Sequence, residues 1–415
     1  MRFLVYPHEL AIGGSQINAI DLAAGVAAKG HDVIVYGVPG PLEGYIAERG
    51  LRFIPARRMK YRPAPSRIVQ LAAIAEQERI DLIHTYEWSA CLDAYFGAAL
   101  VKRVPTLCTV LSMHVAPYVP PSVPLIMGTA ELGAEARERQ LGDVWVLEPP
   151  IDVSRDRPEV DGKHFRNVNG IGDGDFLVVS VSRLAVDLKL DALVRLIDAA
   201  DQLAASTPIK LVLVGDGAAR EALEARAAAV NHRHQRKVVV FTGADLDPRR
   251  AYAAADLVVG MGSSALRALA IGRPLVVQGE RAFSETFEPA TTELFLSQGF
   301  YGLGDDTAGV ETLASQIASL INDPEKRARL GRFGREFVCS RFSLERAVDV
   351  QLEIYDSILK RPPALRPIEA LRAAMLALGL EVKNHNPLLK RERKAFETVM
   401  LASAKAGSWP PRLTR

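Results

Sequence analysis

Arg183 closes an apolar run, DFLVVSVSRL, and Lys189 follows six residues later, where a helical pattern begins. Two cations at a strand end beside a helix N-terminus suit a diphosphate. The guanidinium can bind two oxygens at once and the ammonium acts as a mobile point charge. Two solvated surface cations would read the same way. Further on, VVGMGSSALRALAIGRP runs from an apolar strand through Gly260 and Gly262 into a helix. Backbone N–H groups of Gly262, Ser263 and Ser264 can face a phosphate there, or the serines simply cap the helix. Arg267 sits one turn into that helix. In HELAIGGSQ (His8 to Gln16), Gly13 and Gly14 precede a helix. Paired glycines admit a ligand close to the backbone, and equally make a tight turn. VGDGAARE, which contains Gly215, lacks the third glycine of a dinucleotide fingerprint and argues only weakly for NAD. His84 and His114 lie at or just after strand ends, where a histidine is as often a local hydrogen-bonder as a functional group.

The elements that hold these residues alternate almost throughout between short apolar runs and helical periodicity, the pattern of parallel sheets covered by helices. The first unit is RFLVY (Arg2 to Tyr6) and a helix from about Ser15 to Lys29, with Ile17, Ile20, Ala24 and Ala27 on one face. Ser15 is its expected N-cap and Gly30 its stop. HDVIVYG, DLIHTY, PTLCTVL, VPLIMG and DVWVLEPP supply further strands. The aperiodic, proline- and charge-rich stretch from Glu148 to Asn169 reads as a linker. The alternation then restarts with DFLVVSVSRL, IKLVLVGDG, KVVVFTG, DLVVGMG and GRPLVVQGE. The expected organisation is therefore α/β, with two doubly wound domains at 1–153 and 154–342, and a helix and tail at 343–415.

At 415 residues the chain exceeds one ordinary core, and 48% apolar with 24% charged residues is typical of a folded globular protein. A net charge of +2 gives no reason to expect nucleic acid. Cys91, Cys108 and Cys339 fit neither a disulfide framework nor a zinc spacing, which points to a reducing cytoplasm. The opening MRFLVYPHEL enters a strand directly, without a leader pattern, and no run approaches a membrane span.

SRL…K, LVGDG, VVFTGADL, the Tyr252 to Asp256 run and ALRALAIGRPLVV occur in an order that resembles the nucleotide-sugar-binding half of family 4 retaining glycosyltransferases of GT-B fold. GG, KGHDVIVYG, DLIHTYE and PTLCTV fit the N-terminal half, so the resemblance covers roughly residues 1–360. It implies two Rossmann-like domains facing across a cleft, with the helix from Ser343 to Lys360 crossing back to the first. It also implies metal-independent transfer, with no cofactor, from a UDP-, GDP- or dTDP-sugar to an acceptor hydroxyl. Arg183 and Lys189 are then expected to neutralise the leaving diphosphate, with Gly13 and Gly14 closing on it from the other domain. Gly262, Ser263 and Ser264 would form the cradle, and Gly215 and Gly243 would lie beside the nucleotide. His84 or His114 would touch the donor sugar, and Glu87 the acceptor.

One departure stands out. Members usually carry two glutamates separated by seven residues across the glycine-serine turn, and here Val259 and Arg267 occupy those positions. Arginine has donors only and cannot accept hydrogen bonds from ribose hydroxyls. Glu280 or Glu285 supplies the carboxylate instead, or Arg267 binds a further anionic group, or catalysis has been lost. The first is preferred, because the basic pair and glycine turns are intact. A non-catalytic homologue that binds a nucleotide sugar or a partner protein is the alternative, and a sugar-nucleotide epimerase a second. The acceptor is open among small molecules, polysaccharides, lipids and proteins. The basic stretches Lys383–Lys394 and Pro410–Arg415 offer weak contact with a membrane surface, or are solvated.

Overall fold

The computed structural model describes residues 1–59, 61–112, 114–306, 309–361 and 366–406, apart from the side chains of 392, 393 and 406. The stretch Pro410–Arg415 lies outside the described residues. The chain forms two compact units, one of Met1–Asp152 with Phe342–Lys390, the other of Val153–Arg341 with the chain from Arg391.

The first unit is built on strands β1 (Arg2–Tyr6), β2 (Asp32–Gly37), β3 (Arg52–Pro55), β4 (Leu82–Tyr86), β5 (Thr106–Val110), β6 (Leu125–Met127) and β7 (Val144–Val146). They pair in the order β3-β2-β1-β4-β5-β6-β7, and every pairing is parallel. Near-continuous apolar runs such as FLVY and VIVYG are what a parallel sheet covered on both faces requires. β3 has no such run. It is an edge strand, exposed at Arg52 and Pro55, and has no sequence signal of its own. Helix α1 (Gly14–Ala28) begins a residue before the expected N-cap. Gly13 takes that position in extended conformation, and the Ser15 hydroxyl is buried without a partner rather than capping. Gly30, at φ 90°, ends the helix as expected. Helix α2 (Glu87–Ala94) follows β4 directly.

The second unit contains β8 (Phe176–Val181), β9 (Ile209–Val214), β10 (Val239–Gly243), β11 (Leu257–Gly260), β12 (Leu275–Gln278) and β13 (Ser284–Thr286). Their order is β10-β9-β8-β11-β12-β13, parallel except for the antiparallel β13. Helices α3 (Leu190–Ala204), α4 (Arg220–His234) and α5 (Ser263–Ala270) follow β8, β9 and β11.

In each sheet the connections leave in opposite directions from two central neighbours, β1 and β4 in the first unit, β8 and β11 in the second. Loops beyond the carboxyl ends of such strands diverge and leave a crevice, the usual ligand position in open α/β sheets.

The last part of the chain is divided between the units. Helix α6 (Leu344–Leu359) packs on α1, where Val348 fills the space above Gly25 and Lys29 pairs with Asp349 at 2.7 Å. Helix α7 (Pro367–His385) also lies on the first unit. Helix α8 (Pro387–Ala406) ends against the second unit's core through Met400, Leu401 and Ala404. Among the described residues no helix is long and apolar enough to cross a membrane.

Candidate functional site

At the second unit's crevice, Arg183 leaves the end of β8 and Lys189 stands at the N-cap of α3, reached through Leu188 at φ 64°. A left-handed leucine costs about 1 kcal/mol and persists where its surroundings impose it. The loop is fixed from β9: the Leu184 amide donates to Asp216 and the Ala219 amide to Leu184. Gly215 makes this close approach possible, since a Cβ there would stand 1.8 Å from the Ser182 carbonyl oxygen. Gly243 accepts the Gly215 amide at 2.8 Å. Both glycines thus shape the backbone under Arg183.

Neither Arg183 nor Lys189 has an ion-pair or side-chain hydrogen-bond partner among the described residues. The Lys189 ammonium is pushed down to about 8, first by burial and then by the Arg183 charge, while Glu280 acts the other way. Burial and the Arg183 charge both disfavour the charged ammonium, and an anion bound beside it would favour it.

Glu280 ends the β12 side of the same edge. It opens a tight turn to β13 through Arg281 and Ala282, both left-handed, closed by the Phe283 amide on the Glu280 carbonyl at 3.2 Å. The buried Arg195 of α3 holds this turn, donating to the Gly279 carbonyl at 2.9 Å and pairing with Asp191. Tyr301 donates to Glu280 Oε2 at 2.5 Å, and burial raises its phenol first, with Glu280 adding to the shift. Glu285 lies on β13 instead and accepts the neighbouring Thr286 amide at 3.0 Å.

The glycine-serine turn differs from expectation in two ways. The Gly262 amide is already committed to the Phe300 carbonyl at 2.7 Å, which takes it out of the cradle. The serine side chains do not cap α5, and the Ser264 hydroxyl accepts from Tyr252 at 3.0 Å. The amides of Ser263 and Ser264 open the helix and have no acceptor within it.

Arg267 is engaged by the protein itself. It pairs with the buried Asp156 at 3.3 Å, in the segment that opens this unit. Arg335 fastens the same segment, donating to the carbonyls of Val153, Asp156 and Ala270. Val259, at the other position expected to hold a glutamate, is buried in β11.

In the first unit, His84 is corrected to a core residue. It is fully buried in the middle of β4, its Nδ1 2.7 Å from the Tyr355 hydroxyl and its Nε2 2.7 Å from Thr109 Oγ1. Burial pushes the imidazole down to about 3, so the ring is neutral and closed to any ligand. The unfolded chain takes up this proton below pH 6.5 and the folded chain only near 3. The contribution to stability is therefore complete above pH 6.5 and lost as pH falls toward 3. Thermal melts at pH 7 and pH 5 are expected to differ more for the wild type than for His84→Gln, whose amide does not titrate.

His114 is exposed on the loop after β5, and its carbonyl accepts from Ser112. Glu87 holds that loop, accepting from the Leu111 amide at 3.0 Å and from Ser112 Oγ at 2.9 Å, with its carboxyl pushed up by burial. Gly13 and Gly14 lie in the first unit's loop after β1, together with His8, which has no role in the sequence pattern. His8 Nε2 stands 3.3 Å from Gln16 Nε2, and burial lowers its imidazole. Its signal was its position, two residues beyond a strand end.

The group 1 glycosyl transferase family matches residues 161–337, and glycosyltransferase family 4 matches residues 12–122. A GDP-mannose-dependent monoacylated alpha-(1-6)-phosphatidylinositol monomannoside mannosyltransferase of Corynebacterium glutamicum is 27% identical over 208 residues, 47% of this chain. The match takes in 51% of that protein, so the chain spans about half the length of this curated relative. A glycosyltransferase structure from Rickettsia africae superposes with a TM-score of 0.70 at 16% identity, covering 87% of this chain and 99% of that one. Anabaena HepE in complex with UDP and glucose gives 0.68 at 18% identity, covering 86% and 100%. These structures share the GT-B fold. With each doubly wound unit matched by its own half of one family pattern, in order along the sequence, the chain carries a glycosyltransferase family 4 domain and a group 1 glycosyl transferase domain in the GT-B fold.

Proposed function

We propose that the protein is a retaining glycosyltransferase whose second unit binds a nucleotide-diphospho-sugar without a metal ion. The observation that carries this reading is the unpartnered Arg183 and Lys189 pair at the β8/β11 crevice, beside the open amides of Ser263 and Ser264. In the reaction the bond from the anomeric carbon to the diphosphate oxygen breaks, and a bond to the acceptor oxygen forms on the same face. The acceptor proton passes to the departing phosphate. Arg183 and Lys189 stabilise the charge that develops on the leaving group, where fixed donors act most strongly. Glu280, held by Tyr301 and the Arg195-braced turn, takes the place of the usual carboxylate and accepts from donor hydroxyls. The first unit binds the acceptor at the crevice lined by Gly13, Gly14, His8 and Glu87, with His114 on the adjoining loop.

The Corynebacterium relative is GDP-mannose-dependent and the Anabaena protein was captured with UDP and glucose, so both nucleotides belong in the assay. Release of nucleoside diphosphate from GDP-mannose or UDP-glucose is the expected activity, with the anomeric configuration of the product kept, as read by NMR. No release from any nucleotide sugar, or inversion at the anomeric carbon, would overturn the proposal.

Diphosphate binding needs the protonated ammonium, and free Lys189 titrates near 8. Affinity is expected to fall as pH rises past 8, with uptake of up to about one proton per ligand bound. Calorimetry in buffers of different ionisation enthalpy reads that uptake directly. Lys189→Arg, which stays charged, is expected to flatten the profile.

A further inference from the structure

Helix α7 carries its large side chains on the wrong side for a helix that serves only to cover a core. Ala373 and Ala377 face the first unit and pack against Leu92, with Trp88, Phe96 and Tyr118 around them. Ile368, Leu371, Met375, Leu378 and Val382 face water, each between 58% and 84% exposed. Their spacing of three and four residues sets them in one stripe along the helix. A surface helix normally turns such a stripe inward, and a contiguous exposed apolar surface marks an interaction. Neither family match reaches this helix, since they end at residues 122 and 337.

The surrounding charge says what covers the stripe. Arg372 and Lys383 are exposed on α7. Its two acids are engaged and half-buried: Glu369 accepts the Ser122 amide at 3.0 Å, and Glu381 pairs with His385 at 3.4 Å. His385 lies one turn beyond Val382 on the same face, and its ring meets Tyr61 at 5.0 Å between centroids. Tyr61 belongs to a loop that also exposes Arg57, Arg58 and Met59. The apolar stripe therefore runs into a second cationic and aromatic patch on the same unit. A second copy of the helix would bring cations against cations with no exposed acid to answer them. An anionic lipid surface accepts both the apolar side chains and the cations.

We infer that α7 lies in the headgroup region of an anionic membrane, with Ile368, Leu371, Met375, Leu378 and Val382 inserted and Arg372, Lys383 and the Arg57–Arg58 loop on lipid phosphates. The helix lies in the plane of the interface. This docking is independent of the transfer reaction and is tested without it.

The test is co-sedimentation of the full chain with vesicles of phosphatidylcholine containing about one third phosphatidylglycerol, beside pure phosphatidylcholine. Light scattering on the same samples reads the oligomeric state. The wild type is expected to sediment with the anionic vesicles, less so in high salt, and weakly with the neutral ones. The triple variant Leu371→Glu, Met375→Glu, Leu378→Glu is expected to lose at least about tenfold in partitioning. Its melting temperature should be unchanged, because these side chains already face solvent. Arg372→Ala with Lys383→Ala should weaken binding to the anionic vesicles alone. Absence of wild-type binding to the anionic vesicles, or unchanged binding by the triple variant, overturns the inference. So does a wild-type dimer that the triple variant dissolves while vesicle binding persists, which would make a second copy the occupant.

Discussion

Arg183→Ala is expected to lower kcat by roughly two to three orders of magnitude, the usual loss when a fixed donor to developing charge is removed. Lys189→Ala should fall in the same range. The two cations act on one leaving group, so the double variant should cost less than the product of the singles. Arg183 is exposed and makes no ion pair or side-chain hydrogen bond among the described residues, so its removal breaks none. Its melting temperature should therefore stay at the wild-type value, which separates lost catalysis from lost fold. Lys189→Arg keeps a charge near the diphosphate and should retain more activity than Lys189→Ala. Steady-state release of nucleoside diphosphate gives all of these values. An Arg183→Ala enzyme within about threefold of wild type would remove leaving-group stabilisation from the account.

The second large effect is on stability. Arg267→Glu restores a glutamate where the family pattern expects one, yet it is expected to destabilise the second unit by roughly 3–5 kcal/mol, the usual cost of breaking a buried ion pair. The pair is Arg267 with Asp156 at 3.3 Å, the carboxylate almost wholly covered. A new carboxylate would stand against it and loosen the segment that Arg335 also fastens. Denaturant melts of the wild type, Arg267→Glu and the doubly neutral Arg267→Gln, Asp156→Asn variant measure this. The double variant should regain much of the loss, because no two carboxylates are left facing each other. An Arg267→Glu protein as stable as wild type would mean that the ion pair does not hold the segment.

Much of the fold was legible in the sequence because parallel strands buried on both faces need unbroken apolar runs, and FLVVSV and KLVLV have them. β3 and β13 were not legible. RFIP and SET are short edge strands without an unbroken apolar run, each paired on one side only, to the strand before it. The cap of α1 misled in a similar way: serine is a good N-cap in general, but the chain enters the helix through an extended Gly13 and leaves Ser15 inside.

The site divides along the same line. Arg183 and Lys189 follow from position alone, a strand end and a helix start. His84 looked equally promising, but its burial comes from Tyr355, 271 residues away, and no local pattern announces that. Arg267 was visible as a departure from the family pattern, whereas its partner Asp156 lies in a stretch that reads only as linker. The orientation of α7 was not legible, because the usual rule puts large aliphatics inward, and here two alanines fit against aromatic neighbours instead.

In the proposed function the crevice between β8 and β11 holds the donor diphosphate through Arg183 and Lys189. Calorimetric titration of the wild type and Arg183→Ala with UDP, GDP and dTDP tests it most directly. Saturable binding of at least one nucleotide to the wild type, and loss of that binding in Arg183→Ala, is the expected result. A panel in which no nucleotide binds, or in which Arg183→Ala binds as tightly as the wild type, would contradict it.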